Sequence, residues 1–179
     1  MRWAGFESRQ PRLAALGRNR LIEPGVLLVV TIRRDGTPRL SPVEPYLLEG
    51  DLLLSMLWGS RKVADLQREP RVLVHSVVMN RDGGEGEFKV RGTARLEADV
   101  GLQERFGAAV AAELGWRPEP GRFHLFGVDI DEVTFIGYDA PTGDQHTARW
   151  PSGGEFVRRG TSATSLGPPE PAAELLTTE

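Results

Sequence analysis

The chain has 179 residues, of which 40% are hydrophobic and 26% are charged, and its formal net charge at pH 7 is −3. This size and composition predict one globular domain, with or without a tail. The acidic balance argues against nucleic acid or a membrane as a partner. The absence of cysteine excludes disulfides, thiolate metal sites and a cysteine nucleophile. Because no apolar run reaches about 20 residues and the N-terminus lacks the apolar segment of a signal peptide, we expect a cytoplasmic protein.

Residues 1–24 have the spacing of an amphipathic helix. Pro11 favours a helix start close to its own position, because proline is tolerated in the first turn, and Pro24 ends the segment. The predicted buried face consists of Phe6, Leu13, Leu16 and Leu21.

A β-rich stretch follows this helix. An apolar, β-branched run over residues 26–32 predicts a strand, and residues 34–37 predict a hairpin turn because a glycine supplies the positive φ. Residues 38–48 predict a return strand. Since Pro42 and Pro45 lack the N–H that a ladder requires, we expect this strand to be irregular or partly at an edge.

A second tight turn at residues 49–51 leads into an apolar strand over residues 52–57. If that turn joins neighbouring strands, residues 38–43 lie antiparallel to this strand. Arg39 and Ser41 would then sit beside the end of the strand.

Two further helices are predicted by their ends. One begins after Ser60 and stops before Pro70, and the other begins after Asp99 and stops at Gly115. Alternating or continuous apolar residues predict strands over 72–78, 87–97, 123–138 and 146–150, the third of them bent near Asp131.

From Pro151 onward the composition changes to Gly, Ser, Thr, Pro and Glu. Such a segment has too little apolar surface to offset the entropy of ordering. We therefore expect a folded domain over residues 1–150 and a flexible tail over residues 151–179. About six antiparallel strands with short helices predict an α+β, mainly β fold that forms a closed or partly closed barrel.

Common catalytic motifs are missing, and the three histidines are scattered, so no metal site is predicted. The most informative segment is the strand end that leads through Gly59 into Ser60, Arg61 and Lys62. A helix N-terminus offers free N–H groups and a partial positive charge, and a hydroxyl with two cations would complete a phosphate site. The alternative is a plain helix cap followed by solvated basic residues.

Arg39 and Ser41 are expected beside the same corner. One anion site with polar backbone edges and apolar walls suits a phosphorylated heterocycle such as flavin mononucleotide (FMN).

The stretch from residue 26 to residue 78 resembles the pyridoxamine 5′-phosphate oxidase-like, FMN-binding split-barrel superfamily. The residues that carry the resemblance are 31–43, 59–62, 69–72 and the later strand 88–94. The resemblance implies a six-stranded antiparallel split β-barrel with flanking short helices. It also implies a homodimer that binds the cofactor at the subunit interface and acts on a small-molecule substrate.

The resemblance further implies the roles of individual residues. It places one strand along the ring and ribityl chain, a second strand at the border of the ring, and the helix start on the phosphate. A tryptophan would supply a stacking ring, unless it is a packing anchor. The implied cofactor-binding residues are Arg39, Ser41, Pro42, Val43, Ser55, Met56, Ser60, Arg61, Lys62, Trp116 and Trp150.

One departure from the family concerns its C-terminal substrate-handling run. In residues 144–150 only Arg149 matches that run. We therefore expect an FMN-dependent oxidoreductase that transfers a hydride to or from a small organic molecule and is not a true pyridoxamine 5′-phosphate oxidase.

Two alternatives on the same fold remain open. One is a deazaflavin-dependent reductase, whose longer anionic tail would lie in a basic groove. The other is a non-catalytic flavin- or haem-binding module. The arginines considered for the groove are Arg9, Arg12, Arg18 and Arg20, which equally suit a solvated helix face.

Overall fold

The computed structural model describes residues 1–172 and confirms an α+β, mainly β fold of antiparallel strands with short helices. The helices are α1 (Trp3–Arg9), α2 (Pro11–Gly17), α3 (Arg61–Arg68) and α4 (Val100–Leu114), with a π-helical turn over Arg18–Ile22. The strands are β1 (Leu27–Ile32), β2 (Pro38–Val43), β3 (Pro45–Leu48), β4 (Asp51–Leu57), β5 (Arg71–His75), β6 (Glu87–Leu96), β7 (Phe123–Tyr138), β8 (Gln145–Trp150), β9 (Gly154–Ser162) and β10 (Ser165–Pro171). Within the described residues, no helix has both the length and the apolar character that a membrane span needs.

The N-terminal helix is interrupted at Gln10, where the backbone leaves the helical region, and Pro11 begins α2. Proline cannot continue a helix without losing a hydrogen bond, but it fits the first turn of a new one. Trp3, Phe6 and Leu13 are buried in the main core. The two short helices therefore form an apolar cover over one side of the sheet.

Strand β7 joins the two parts of the sheet. It pairs with β6 over most of its length, with β4 through residues 123–127 and with β8 through residues 133–138. The hydrogen-bonded order is therefore β2-β1-β5-β6-β7-β4-β3, with β8, β9 and β10 branching from the far half of β7.

The return strand predicted over residues 38–48 is broken at Glu44. Its first half, β2, pairs with β1, and its second half, β3, pairs with β4. The expected pairing of residues 38–43 with residues 52–57 is wrong, because the prolines on either side of Glu44 prevent one continuous ladder. β2 and β3 thus stand at opposite ends of the hydrogen-bonded path. Within residues 1–172 no strand pair closes the sheet into a barrel, and the structure has ten strands rather than the six that were expected.

Two apolar clusters hold the sheet. Alternate residues of β4 serve both: Leu52, Leu54 and Met56 belong to the main core, whereas Leu53 faces α4. The smaller cluster consists of Leu53, Leu102, Phe106, Val110, Phe123 and Leu125. It fixes α4 on the outer side of β4 and β7.

The C-terminal segment differs from the predicted tail. Residues 154–162 and 165–171 form the β9–β10 hairpin, and β9 pairs with β8. The Asp144 carboxylate accepts hydrogen bonds from the Gly160 N–H at 2.9 Å and from the Arg159 guanidinium at 2.6 Å, while Val157 is buried. Backbone pairing and this ion pair thus order a segment that has little apolar surface. Residues 173–179 lie outside the described residues.

Strand β7 has a bulge at Asp131, where the sequence predicts a bend. Arg91 pairs with Glu132 and Gly92 pairs with Ile130, so Asp131 has no partner across the ladder. A Cβ on Gly92 would lie 2.2 Å from the Asp129 carbonyl oxygen. Only glycine allows the two backbones to approach this closely.

Gly92→Ala is expected to lower the free energy of unfolding by about 1–3 kcal/mol, because the backbone of β7 must move to admit a methyl group. Denaturant unfolding measures the change. The control is Gly84→Ala, where the added Cβ lies 3.5 Å from the nearest atom, in the Asp82 side chain. Equal stability of the two variants would contradict the close contact at the bulge.

Candidate functional site

Two cavities flank the N-terminal end of α3. We call the first the apolar cavity; its volume is about 380 Å³ and its lining residues are Val26, Pro42, Val43, Glu44, Ser55, Met56, Leu57, Lys62 and Trp116. We call the second the arginine groove; its volume is about 630 Å³ and its lining residues are Arg33, Arg34, Asp35, Arg39, Arg61, Ala64, Asp65 and Arg68. The site combines an apolar end with a basic end.

Strand β2 connects the two cavities. Arg39, Ser41 and Val43 are its less exposed positions and share one face. Arg39 lines the arginine groove and Val43 lines the apolar cavity. Four residues of extended chain separate them by about 13 Å. β2 has no ladder partner on its second edge within the described chain, so one elongated ligand can contact both cavities along this edge.

The start of α3 lies between the cavities. β4 ends at Leu57, Gly59 turns the chain with a φ of 70°, and Ser60 is the N-cap residue. The Ser60 hydroxyl oxygen is buried, makes no capping bond and has no hydrogen-bond partner among residues 1–172. The helix start therefore holds a buried, unsatisfied hydroxyl next to its first N–H groups.

Arg61 and Lys62 do not face the same cavity. Arg61 lines the arginine groove, whereas Lys62 lines the apolar cavity. Consecutive helical residues are rotated by about 100°, so adjacent cations at a helix start diverge. The sequence predicts both cations on one phosphate, whereas the structure places them in different cavities.

Asp65, which is not among the sequence-predicted site residues, binds the side chains that shape the groove. Its side chain is only 6% exposed, and its Oδ2 accepts hydrogen bonds from the Thr31 hydroxyl at 3.0 Å and from the Arg39 Nε at 2.6 Å. Arg68 lies 3.6 Å from its Oδ1. A clue was available in the spacing of residues 61, 65 and 68, which puts two arginines and this aspartate on one helix face.

Opposing effects set the pKa of Asp65. Burial would raise it, but the hydrogen bonds from Arg39 and Thr31 and the charges of Arg39 and Arg68 outweigh burial and lower the pKa below its ordinary value. The carboxylate is therefore ionised at neutral pH and holds Arg39 through one nitrogen, leaving the other guanidinium N–H groups free of this contact.

Trp116 follows the C-terminal end of helix α4 and lines the apolar cavity. Gly115 ends the helix in the left-handed region with a φ of 74°, and Trp116 follows directly. Leu57, Trp58 and Trp116 are 78%, 65% and 52% exposed, and Trp58 stacks on His124 with ring centroids 4.6 Å apart. We call these three exposed residues the apolar rim.

Trp150 and Arg149 lie elsewhere. The Trp150 ring packs against Phe6 at a centroid distance of 5.5 Å, and the Arg149 guanidinium lies 5.6 Å from the centroid of Phe156. Neither lines the apolar cavity or the arginine groove. The sequence-predicted residues that the structure brings to the two cavities are Arg39, Pro42, Val43, Ser55, Met56, Arg61, Lys62 and Trp116; Ser41 and Ser60 line neither cavity.

The N-terminal arginines considered for a basic groove do not line this site. Arg18 binds Glu7 through two nitrogens at 2.7–3.0 Å, and Arg20 pairs with Glu85 at 3.3 Å. Neither these two nor Arg9 and Arg12 line the apolar cavity or the arginine groove. Within the described part of the chain, no group of three His, Asp or Glu side chains is placed to hold a metal ion.

The fold is that of a small, mainly β protein, and the two cavities along the edge of β2 form its candidate binding site. Residues 17–137 match the pyridoxamine 5′-phosphate oxidase family, and because this match covers more than half of the chain, the chain belongs to that family. No curated protein matches the sequence.

Several solved structures share the fold. PhzG from Burkholderia lata 383, in complex with tetrahydrophenazine-1-carboxylic acid, matches with a TM-score of 0.59 and 16% identity over 88% of this chain and 92% of that chain. General Stress Protein 26 from Bacillus anthracis str. Sterne has a TM-score of 0.55 and 20% identity over 71% and 92%. An F420 reductase has a TM-score of 0.51 and 18% identity over 65% and 94%. These identities support similarity of fold alone.

Asp65→Asn is expected to lower the free energy of unfolding at pH 7 by about 2 kcal/mol, because Arg39 loses a buried ionic partner. The folded-state pKa of Asp65 lies below its ordinary 3.8, so the wild-type advantage is present above that pH and shrinks as the pH falls through the folded value. Denaturant unfolding between pH 7 and pH 3 measures the difference.

The control for this series is Asp82→Asn, which changes an exposed aspartate in the loop before β6. A difference between wild type and Asp65→Asn that does not vary with pH would contradict an ionised Asp65 as the centre of the contact.

Proposed function

We propose that the chain is a flavin-binding oxidoreductase that transfers a hydride to or from a small organic molecule, with FMN as the cofactor. The observation that carries this proposal is the cleft along β2, which is apolar at one end and basic at the other. A flavin mononucleotide needs both ends, one for its ring and one for its phosphate. Members of this family generally bind flavin.

The residues at the helix start fit a phosphate. The Ser60 hydroxyl is buried without a partner among the described residues, and the first N–H groups of α3 lack intrahelical acceptors. Arg39 and Arg61 line the same groove and would add charge-assisted hydrogen bonds. A buried hydroxyl without a partner is costly, and a phosphate oxygen would satisfy it.

The apolar cavity fits the ring end. Val43, Met56 and Trp116 would exclude water from it. When bound there, a flavin would supply the hydride chemistry at N5. Lys62 lines this cavity and has no carboxylate within 4.0 Å among residues 1–172. Glu44 lines the same cavity, so the ring end of a ligand would meet one positive and one negative side chain.

We infer that the chain is not a true pyridoxamine 5′-phosphate oxidase. In residues 144–150 only Arg149 matches the substrate-handling run of that enzyme, and Arg149 lies over Phe156. The residues at the cofactor end of the site therefore match the family better than the residues that would bind pyridoxamine 5′-phosphate as substrate.

We also propose a homodimer that covers the apolar rim. Leu57 and Trp116 line the mouth of the apolar cavity and are exposed, as is the neighbouring Trp58. Exposed apolar patches of this kind mark interaction surfaces, and proteins of this family generally form dimers. A partner subunit on the rim would enclose the ring end of the cofactor.

Arg61→Ala is expected to weaken FMN binding about tenfold or more and to leave riboflavin binding unchanged, because Arg61 lies at the phosphate end. Lys62→Ala should weaken both ligands, because Lys62 lies in the apolar cavity. Quenching of flavin fluorescence measures both affinities. Arg71→Ala is the control, since Arg71 is exposed and paired with Glu69 outside both cavities.

Failure of wild-type protein to bind either flavin would refute the proposed function. Equal weakening of FMN and riboflavin by Arg61→Ala would refute the division of the cleft into two ends. The absorption spectrum of the untreated protein distinguishes FMN from a deazaflavin, the second candidate, which the large charge of the arginine groove favours.

Trp58→Glu is expected to convert the dimer to a monomer and to weaken FMN binding, because a charge in the apolar rim would be buried on association. Sedimentation velocity measures the change. Met79→Glu is the control, since Met79 is exposed but does not belong to the rim. A wild-type monomer that binds FMN at full strength would contradict the interface.

A further inference from the structure

The arginine groove carries more positive charge than one phosphate neutralises. Five arginines line it, against two aspartates, Asp35 and Asp65. A phosphate monoester brings about two negative charges at most. Even with that phosphate bound, the groove would retain positive charge.

The two aspartates are already engaged. Asp65 binds Arg39 and lies near Arg68. Asp35 accepts hydrogen bonds from the Thr37 hydroxyl at 2.6 Å and from the Thr37 N–H at 2.9 Å, and these two bonds lower its pKa. Asp35 therefore remains an anion that stabilises the β1–β2 turn.

Three arginines of the groove are left without such a partner. Arg33, Arg34 and Arg61 have no carboxylate within 4.0 Å in the part of the chain that the structure describes. Arg61 lies at the start of α3, whereas Arg33 and Arg34 lie at the tip of the β1–β2 hairpin. Asp35 acts on Arg33 only at longer range, so these three arginines and Asp35 together keep a net positive charge that is available to an anion.

The hairpin holds the two tip arginines in place. The Arg33 N–H donates to the Thr37 carbonyl at 2.8 Å, and the Gly36 N–H donates to the Arg33 carbonyl at 2.9 Å. Gly36 adopts a φ of 84°, which the turn requires. A tight turn of this kind presents its side chains with little backbone freedom, which lowers the entropic cost of binding.

The order of residues along β2 shows where the unpaired arginines Arg33 and Arg34 lie in the cleft. Val43 lies at the apolar cavity, Arg39 lies in the groove, and the strand then reaches Pro38, which pairs with Ile32 next to Arg33. The tip arginines therefore lie beyond Arg39, at the end of the cleft farthest from the apolar cavity.

We propose that Arg33 and Arg34 form a second anion subsite, which binds a phosphate or carboxylate group that the cofactor carries beyond its first phosphate. This inference rests on the proposed function for the presence of a flavin-type cofactor in the cleft and selects one larger than FMN, but the subsite itself rests on the charge and geometry of the groove. Two sources share the chemistry: a flavin with a diphosphate bridge and a deazaflavin with an anionic tail. FMN would fill only the first site.

The test compares wild type with Arg33→Gln/Arg34→Gln by titration calorimetry, using orthophosphate and tripolyphosphate without any flavin. Both positions are exposed on the hairpin, so the variant keeps the core intact. Tripolyphosphate is expected to bind wild type at least tenfold more tightly than orthophosphate. The double variant should lose about 10- to 100-fold in tripolyphosphate affinity and change little for orthophosphate.

The control is Arg71→Gln/Arg91→Gln, which removes the same charge from two exposed arginines that pair with Glu69 and Glu132 outside the groove. An equal loss in this control would show a general effect of net charge and would overturn the subsite. So would unchanged tripolyphosphate affinity in Arg33→Gln/Arg34→Gln.

The same variants are then titrated with FMN, with flavin adenine dinucleotide and with a deazaflavin that carries an anionic tail. The ligand whose affinity falls in Arg33→Gln/Arg34→Gln, while that of FMN does not, identifies the source of the second anion. If no flavin binds but tripolyphosphate binding depends on Arg33 and Arg34, the proposed function fails and the subsite stands. If FMN binds and no polyanion responds to the variant, the subsite fails and the flavin proposal stands.

Discussion

The buried carboxylate of Asp65 joins the three elements that build the candidate site. It accepts hydrogen bonds from Thr31 on β1 and Arg39 on β2, and it lies on α3. Burial of a charge is unfavourable unless partners offset it, so Asp65 and Arg39 depend on each other. Because only one nitrogen of Arg39 is bound to Asp65, the same contact that anchors the helix also orients a cation towards the groove.

A second constraint is the break in the return strand at Glu44. If residues 38–48 formed one continuous strand beside β4, a ladder partner would cover the edge of β2. The prolines on either side of Glu44 instead separate β2 from β3. β2 is therefore the first strand and β3 the last in the hydrogen-bonded order from β2 to β3. The open edge that results is where the apolar cavity and the arginine groove meet.

Local chemistry made most elements predictable from the sequence. Asp99 and Gly115 bound α4, Gly36 marks the first hairpin, and a bend near Asp131 appears as a bulge. The length of the turn at residues 49–51 did not predict the pairing of β2. The break at Glu44 gives β2 and β3 different partners, β1 and β4, and only the complete sheet shows this. The β9–β10 hairpin was missed because backbone pairing, rather than apolar burial, orders it. Asp65 was missed because its partners come from two distant strands.

The divergence of Arg61 and Lys62 explains how one short helix can serve both ends of the cleft. The rotation between neighbouring helical residues sends Arg61 to the arginine groove and Lys62 to the apolar cavity. Arg61 adds to the positive charge of the groove, whereas Lys62 faces the apolar cavity together with Glu44, and Val43 and Met56 form part of the apolar lining there. This distribution favours an elongated ligand whose far end is anionic, and it disfavours a cation in the arginine groove.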